Sequence, residues 1–475
     1  MPTRQAGDAN PLSSKVEQPP TPLTWRLAIF GVVLILGLSA WLLEDIIGPR
    51  GRALLGLFCF FGLAASLSVN LRAVNWRTIV FGVLLQVAMA LFVLRSRIGF
   101  ELFAIIGKGV EAFLGFSNEG ARFVFGALAN GDVLRKALGP ENGFVFAFSA
   151  LPTIIFVSSF FTLLYHFGVL QAVVRLFAFV MRYLMHTSGA ETLSAVANVF
   201  MGQTEAPLIV KPYVSRMTDS ELLALMVGGM ATISGGVMAV YIQMGADPVG
   251  ILATSVMAAP CGLYLAKLLL PETDQPETFG TVDEQGKSSR DSGVRGESLS
   301  RSHRNAIDAA SAGASEGLSL ALNIAAMLIA FLALLAMLDA GVQWLSLRLG
   351  AETAIGLRQI FGGVFAPVAY VMGVERADLW AVGDLLGTKL VANEFVAYVK
   401  LTGEYRGTVS ERSLVLSTFA LTGFANFSSI GIQLGGIGAM APTRRADLAR
   451  LGGMALFAGF LATLMNAALA SVLMP

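Results

Sequence analysis

Long uninterrupted apolar runs constrain this chain more than any other feature. A helix needs about 20 apolar residues to cross a bilayer, and such runs recur at Trp25–Leu43, Ala53–Val69, Thr78–Leu94, Gly143–Tyr165, Leu222–Met244, Val249–Leu270, Leu318–Leu338, Leu414–Leu434 and Leu451–Met474. About nine transmembrane helices are therefore expected. Of the 475 residues, 55% are hydrophobic and only 14% are charged, against roughly 25% charged in ordinary soluble domains. The chain lacks the charge to solvate a globular surface and reads as an all-α polytopic membrane protein. The 33 basic and 32 acidic residues nearly cancel, so nucleic-acid binding has no electrostatic support. Two cysteines, Cys59 and Cys261, exclude a disulfide framework and a cysteine zinc site.

The remaining segments fall into place around these runs. Residues 1–23 are polar, hold five prolines and read as a disordered tail without the pattern of a secretory signal. Residues 24–140 form an N-terminal membrane unit. Glu101–Phe116 and Leu170–Met185 are amphipathic and read as interfacial helices or as helices packed on other spans. Residues 141–270 and 305–475 form two transport repeats, joined by a hydrophilic loop, 271–304. Basic residues Arg72, Arg77, Lys287, Arg290, Arg295, Arg301, Arg304, Arg444 and Arg445 share one side by parity. Placing them in the cytoplasm puts the N-terminus inside and the C-terminus outside a cell or inner membrane.

The two repeats share a spaced pattern. Ala197–Glu205 and Val391–Tyr398 are polar, acid-bearing interruptions, carrying Glu205 and Glu394, in apolar stretches too short on either side to span. Each is followed by a helix-start signal, Thr218–Glu221 or Val409–Glu411, at 16 residues (Glu205 to Glu221) or 17 (Glu394 to Glu411). Each signal opens an apolar helix interrupted 13 positions later, at Ser234 and at Phe424. Three crossings separate the halves, so the repeats are expected to be inverted, each with a re-entrant hairpin and a broken helix. Lipid cannot hydrogen-bond loose backbone, so these breaks must line a cavity or be buried in protein. A carboxylate at such a tip costs about 2.5–3.5 kcal/mol on insertion scales and marks function; the rival placement is an aqueous rim. Gln203, Thr204, Asn426, Ser428 and Ser429 surround the acids with hydroxyl and amide groups, a set suited to a neutral solute rich in hydroxyls.

Gly202–Leu208, Asn393–Tyr398 and Gly423–Gly431 resemble the concentrative nucleoside transporter family, and the resemblance runs from about Ala53 to the C-terminus. It implies a cation-coupled nucleoside symporter working by alternating access, assembled as a homotrimer in the lipid bilayer. By the same resemblance Gly202, Gln203, Thr204, Glu205 and Val237 hold the nucleobase, and Glu394, Phe424, Asn426 and Ser429 hold the ribose. Sodium, the expected coupling ion, falls to the side chains of Asn198 and Thr232 and the carbonyls of Met201 and Ile233; a helix-capping role for the Asn198 amide competes. Proton coupling and a nucleoside-gated channel or sensor on the same fold stay open as alternatives. Enzymatic motifs fail on context. Gly313–Gly317 matches the spacing of a hydrolase nucleophile elbow but enters a membrane helix with no strand. Gly286-Lys287-Ser288 lacks the first glycine of a P-loop, with Thr281 in its place.

Overall fold

The computed structural model describes residues 20–138, 145–279 and 304–474. The expected tail, apart from its last residues, and loop positions 280–303 lie outside them. Among the described residues every regular element is helical. The N-terminal unit comprises α1 (Leu23–Leu42), α2 (Glu44–Ser66), α3 (Trp76–Leu94), α4 (Arg97–Phe125) and α5 (Gly131–Leu138). Residues 145–279 hold α6 (Phe146–His166), α7 (Val169–Met185), α8 (Gly189–Ala197), the short α9 (Ala206–Ile209) and α10 (Lys211–Val214), then α11 (Asp219–Ala231), α12 (Gly235–Gln243) and α13 (Pro248–Leu269). Residues 304–474 hold α14 (Ala306–Arg348), α15 (Leu357–Val371), α16 (Leu379–Val391), α17 (Glu394–Thr402), α18 (Glu411–Leu421), α19 (Phe427–Met440) and α20 (Arg445–Leu473).

Among the described residues seven helical stretches are long and apolar enough to cross a membrane, with Asp219–Gln243 taken as one. Two expected spans take a different form. The second begins earlier than Ala53, because α2 starts at Glu44 and kinks at Gly48, whose φ of 60° is followed by Pro49. Leu318–Leu338 lies inside the 43-residue α14. Leu222–Met244 and Leu414–Leu434 are divided, between α11 and α12 and between α18 and α19, at the interruptions expected near Ser234 and Phe424. Gly313 and Gly317 of the elbow-like motif sit where α14 crosses α6. A Cβ on either would come within 2.8 Å of backbone in α6, at Ser159 and Ile155, so these glycines let two helices approach closely.

Burial separates an outer from an inner layer. The apolar window of α1 is 6% buried and that of Asp219–Gln243 is 89% buried. An exposed apolar helix suits lipid, whereas a fully buried one must be enclosed by protein. Helices α11, α13, α18 and α20 pack on one another at the centre. Ion pairs brace both acid-bearing segments, the first against this core and the second internally. Lys267 of α13 meets Glu191 of α8 at 2.6 Å and Glu272 at 3.0 Å, and Lys400 of α17 pairs with Asp384 of α16, which also accepts from the Tyr405 hydroxyl at 2.8 Å.

Candidate functional site

Local capping chemistry sets the helix ends that build the site. Thr218 and Glu221 form a reciprocal capping box that starts α11. Ser410 accepts from the Ser413 N–H at 3.2 Å and starts α18. After 13 and 11 helical residues respectively the chain becomes extended, at Thr232 and at Thr422. Both helices end the same way: the Thr232 hydroxyl donates to the Gly228 carbonyl at 2.9 Å and the Thr422 hydroxyl to the Thr418 carbonyl at 2.7 Å. New helices then begin on polar caps. Ser234 accepts from Val237 N–H at 3.4 Å, and Asn426 accepts from Ser429 N–H at 2.9 Å.

The two interruptions touch. Phe424 N–H donates to the Thr232 carbonyl at 3.1 Å, and Gly235 N–H donates to the Phe200 carbonyl at 3.1 Å. Backbone groups freed by one break are thus satisfied by another segment, which is how non-helical backbone survives at such depth. Gly423 permits the crossing: a Cβ there would lie 2.6 Å from the Thr463 methyl and 3.1 Å from the carbonyls of Met230 and Ala231.

Around this crossing the polar side chains join into two groups. In one, Gln203 Nε2 donates to Ser429 Oγ at 3.3 Å, and Gln433 Nε2 donates to Gln203 Oε1 at 3.2 Å and to the Met226 carbonyl at 3.0 Å. In the other, the buried Glu394 carboxylate accepts from Asn426 Nδ2 at 2.8 Å and from the Tyr241 hydroxyl at 3.3 Å. Asn426 joins the groups, since its Oδ1 also takes the Ser428 hydroxyl at 2.7 Å and the N–H of Ser429. Glu394 is the first residue of α17 and bonds to the cap of α19, so the partial positive ends of two helices face one carboxylate. Tyr241 stacks on Tyr398 with ring centroids 4.0 Å apart, which holds its hydroxyl toward the acid.

The expected site residues divide accordingly. Gln203, Glu394, Asn426 and Ser429 are linked by hydrogen bonds and buried. Val237, one turn before Tyr241, is buried, and Phe424 is half-buried in the second break. Thr204 lies against α19, where a Cβ on Gly436 would be 2.6 Å from its methyl. Gly202 and Glu205 form a closed pair: Gly202 N–H donates to Glu205 Oε2 at 2.5 Å. Glu205 is exposed, and its bond is to its own turn. Among the expected cation ligands, Asn198 is the C-cap of α8, and its Nδ2 donates to the Ser194 carbonyl at 3.0 Å. The capping role is therefore met by the nitrogen alone. Asn198 Oδ1 is buried with no hydrogen-bond partner. Met201 and Ile233 lie in non-helical backbone and Thr232 is buried. Gln433, Tyr241 and Tyr398 are additions. The first two had a legible signal, a polar residue one helical turn beyond Ser429 and Val237.

A buried cluster of amides, hydroxyls and one carboxylate, at crossed helix ends inside a bundle of apolar helices, places the chain in the class of multi-pass membrane proteins. The known proteins agree. Three stretches match family models: residues 55–128 and 250–471 the N- and C-terminal parts of the Na+ dependent nucleoside transporter, and residues 147–248 a nucleoside recognition model. An uncharacterized transporter of Haemophilus influenzae is 40% identical over 88% of this chain and 97% of its own. The human sodium/nucleoside cotransporter 1 is 39% identical over 96% of this chain and 69% of its own. The solved transporter CNTnw in an inward-facing substrate-bound state superposes with a TM-score of 0.82 at 38% identity, over 89% of this chain and 97% of that one. A substituted CNTnw in an outward-facing state gives 0.82 at 37% identity, over the same shares. The chain belongs to the concentrative nucleoside transporter family. Members of this family are transporters, not enzymes.

Proposed function

We propose that this protein is a sodium-coupled nucleoside symporter that drives uptake across the cell membrane by alternating access. One observation carries the reading. The side chain of Asn198, whose buried Oδ1 has no hydrogen-bond partner, stands against α11 one turn before the first break, where a Cβ on Gly228 would be 3.1 Å from the amide nitrogen. A bare carbonyl oxygen beside the end of a helix, with the Thr232 hydroxyl and the Met201 and Ile233 carbonyls in the same interruptions, is the donor set that sodium takes: hard, neutral oxygens near a partial negative charge.

The nucleoside site lies across the crossing. Glu394, Asn426, Ser429 and Phe424 take the ribose, the carboxylate and amide bonding its hydroxyls; Gly202, Gln203, Thr204, Glu205 and Val237 take the base. Gln203, Ser429 and Gln433 satisfy one another in this structure, so a nucleoside enters by replacing those bonds with its own. The segments around Glu205 and Glu394 act as re-entrant hairpins in an inverted repeat, supported by the matching caps and hydroxyl back-bonds of α11 and α18. Relatives solved in inward- and outward-facing states support alternating access. The assembly is a homotrimer, with residues 24–140 as the N-terminal membrane unit, 141–270 and 305–475 as the transport repeats, and the N-terminus in the cytoplasm.

Uptake of labelled uridine and adenosine into vesicles containing the purified protein tests the reading. An inward sodium gradient is expected to drive accumulation that a proton gradient of equal size does not. Accumulation driven by protons alone would overturn sodium coupling, and passive equilibration indifferent to both gradients would identify a channel.

A further inference from the structure

Three arginines on one face of the N-terminal unit meet no carboxylate. Helices α1 and α3 start, and α2 ends, at a single level fixed by hydrogen bonds. Thr21 N–H donates to the Val69 carbonyl at 2.9 Å; Thr21 Oγ1 donates to the Ser68 carbonyl and accepts from Leu71 N–H, both at 2.9 Å. Arg26, Arg72 and Arg77 stand at this level. Arg26 Nη2 donates to the Ser68 carbonyl at 3.1 Å, while its Nε is buried with no hydrogen-bond partner. The Arg72 guanidinium lies 5.0 Å from the centre of the Trp25 ring. That of Arg77 lies 5.7 Å from the centre of the Phe81 ring and reaches the Tyr183 carbonyl only at 3.5 Å. All of these partners are neutral. Between residues 20 and 95 the only acids are Glu44 and Asp45, at the far end of α1 and α2.

Elsewhere on this face cations are paired. Val69 N–H donates to the Leu269 carbonyl at 2.8 Å and Ser220 Oγ to the Leu270 carbonyl at 2.7 Å, so the end of α13 and the start of α11 share the level. There Lys267 meets Glu191 at 2.6 Å, Arg216 meets Glu277 at 2.8 Å and Arg444 meets Asp219 at 2.9 Å. A guanidinium stays protonated at any physiological pH. The three arginines are therefore three positive charges without a counter-charge among the described residues.

Their surroundings suit a lipid better than a soluble anion. Trp25 and Trp76, chain neighbours of Arg26 and Arg77, are 45% and 54% exposed, and tryptophan collects at the membrane–water boundary. An exposed apolar stripe runs along α3 from Trp76 through Val80 to Leu84, and α1 is exposed along most of its length. Such faces take acyl chains, and a guanidinium fork takes phosphate oxygens. Phosphatidylcholine brings its own ammonium beside the phosphate, so arginines lacking a counter-charge favour a headgroup with net negative charge.

We propose that Arg26, Arg72 and Arg77 hold the headgroup phosphate of an anionic phospholipid whose acyl chains lie on the exposed faces of α1 and α3. The lipid ties α1, which packs chiefly on α2, to the start of α3.

Brominated lipids, which quench tryptophan on contact, test this with the purified full chain in phosphatidylcholine vesicles. Brominated phosphatidylglycerol is compared with brominated phosphatidylcholine at equal fractions. In the unmodified protein the anionic lipid is expected to be preferred fivefold or more, since each arginine near an anionic lipid is worth about a factor of five. A smaller preference overturns the proposal without any variant. Trp25→Phe with Trp76→Phe removes two of the five tryptophans and is expected to abolish the preference; one that survives lies elsewhere on the surface and overturns the assignment. Arg72→Gln with Arg77→Gln keeps the Arg26 bond to Ser68 and is expected to cut the preference at least fivefold, whereas a smaller cut in the folded variant overturns it. Inorganic phosphate, against chloride at equal ionic strength, is expected to leave the preference unchanged. Its loss would identify a site for free phosphate and overturn the lipid.

Discussion

The two acid-bearing segments follow one plan and end in opposite electrostatic states. Glu205 is exposed and folds back on the Gly202 N–H of its own turn. Glu394 is buried, bonded to Asn426 and Tyr241 on two other elements. The contrast extends to the neighbouring helix ends: beside α11 stands an unpartnered amide oxygen, and beside α18 the Lys389 Nζ, bonded to the Ala420 carbonyl. On the proposed reading, Glu205 and the Asn198 oxygen in the first half are left to meet ligands, while Glu394 in the second is already bonded to other elements of a rigid receptor. Preorganised groups bind a conserved feature of a ligand tightly, which suits a sugar common to all nucleosides. Loosely held groups suit the variable parts, the base and the ion.

Four substitutions can break or sharpen this contrast, in descending order of effect. Glu394→Gln should be the most damaging, because it replaces a charged acceptor in the rigid half. Hydrogen bonds to charged groups contribute about 1.5–3 kcal/mol, so uridine affinity should fall about tenfold to a hundredfold in a titration. An analogue lacking the bonded ribose hydroxyl should lose less in the variant than in the parent protein. If free nucleobases compete as well as nucleosides against the unmodified protein, the ribose assignment is wrong.

Asn198→Ala removes the open oxygen and only one bond, to Ser194. The sodium concentration for half-maximal uptake should rise about tenfold, equivalent to about 1.4 kcal/mol, with the melting temperature nearly unchanged. Unchanged sodium activation would remove Asn198 from the ion site. Glu205→Gln comes next. If the exposed carboxylate turns onto ligands during transport, uridine affinity and sodium dependence shift together, because coupling is reciprocal. Binding curves that superimpose on those of the parent protein at every sodium concentration would leave it a solvated rim charge. Tyr241→Phe should be mildest. It deletes one neutral donor at 3.3 Å, so uridine affinity should drop about twofold to fivefold, and a loss beyond tenfold would place the hydroxyl on the ligand itself.

Much of this arrangement is legible in the chain because its signals are local. Thr218, Glu221 and Ser410 start helices through bonds that span three residues. Asn426, embedded in Gly423–Gly431, caps α19 by the same means. Spacing alone placed the two interruptions, because a polar residue in an apolar run has few other ways to be satisfied. What local pattern could not show is partnership. Gln433 and Tyr241 sit inside apolar helices, and their importance comes from Gln203 and Glu394, which are 230 and 153 residues away. Glu205 and Glu394 looked equivalent because their neighbourhoods in sequence match; their difference arises from what folds against them. The interruption of Leu414–Leu434 is legible from the spacing of Glu411 and Phe424, although hydropathy alone barely changes across the extended turn from Thr422 to Asn426.

The bond from Phe424 to Thr232 also has a history in time. Its two residues are 192 apart in the chain, and a ribosome adding about 5–20 residues per second emits the second roughly ten to forty seconds after the first. Through that interval the newborn first half carries an opened helix whose Thr232 carbonyl has yet to meet its native donor. Hydrocarbon offers it none. Until the second half arrives, the growing protein must keep that spot wet or shielded, so the chain's most water-dependent moment comes before it is complete.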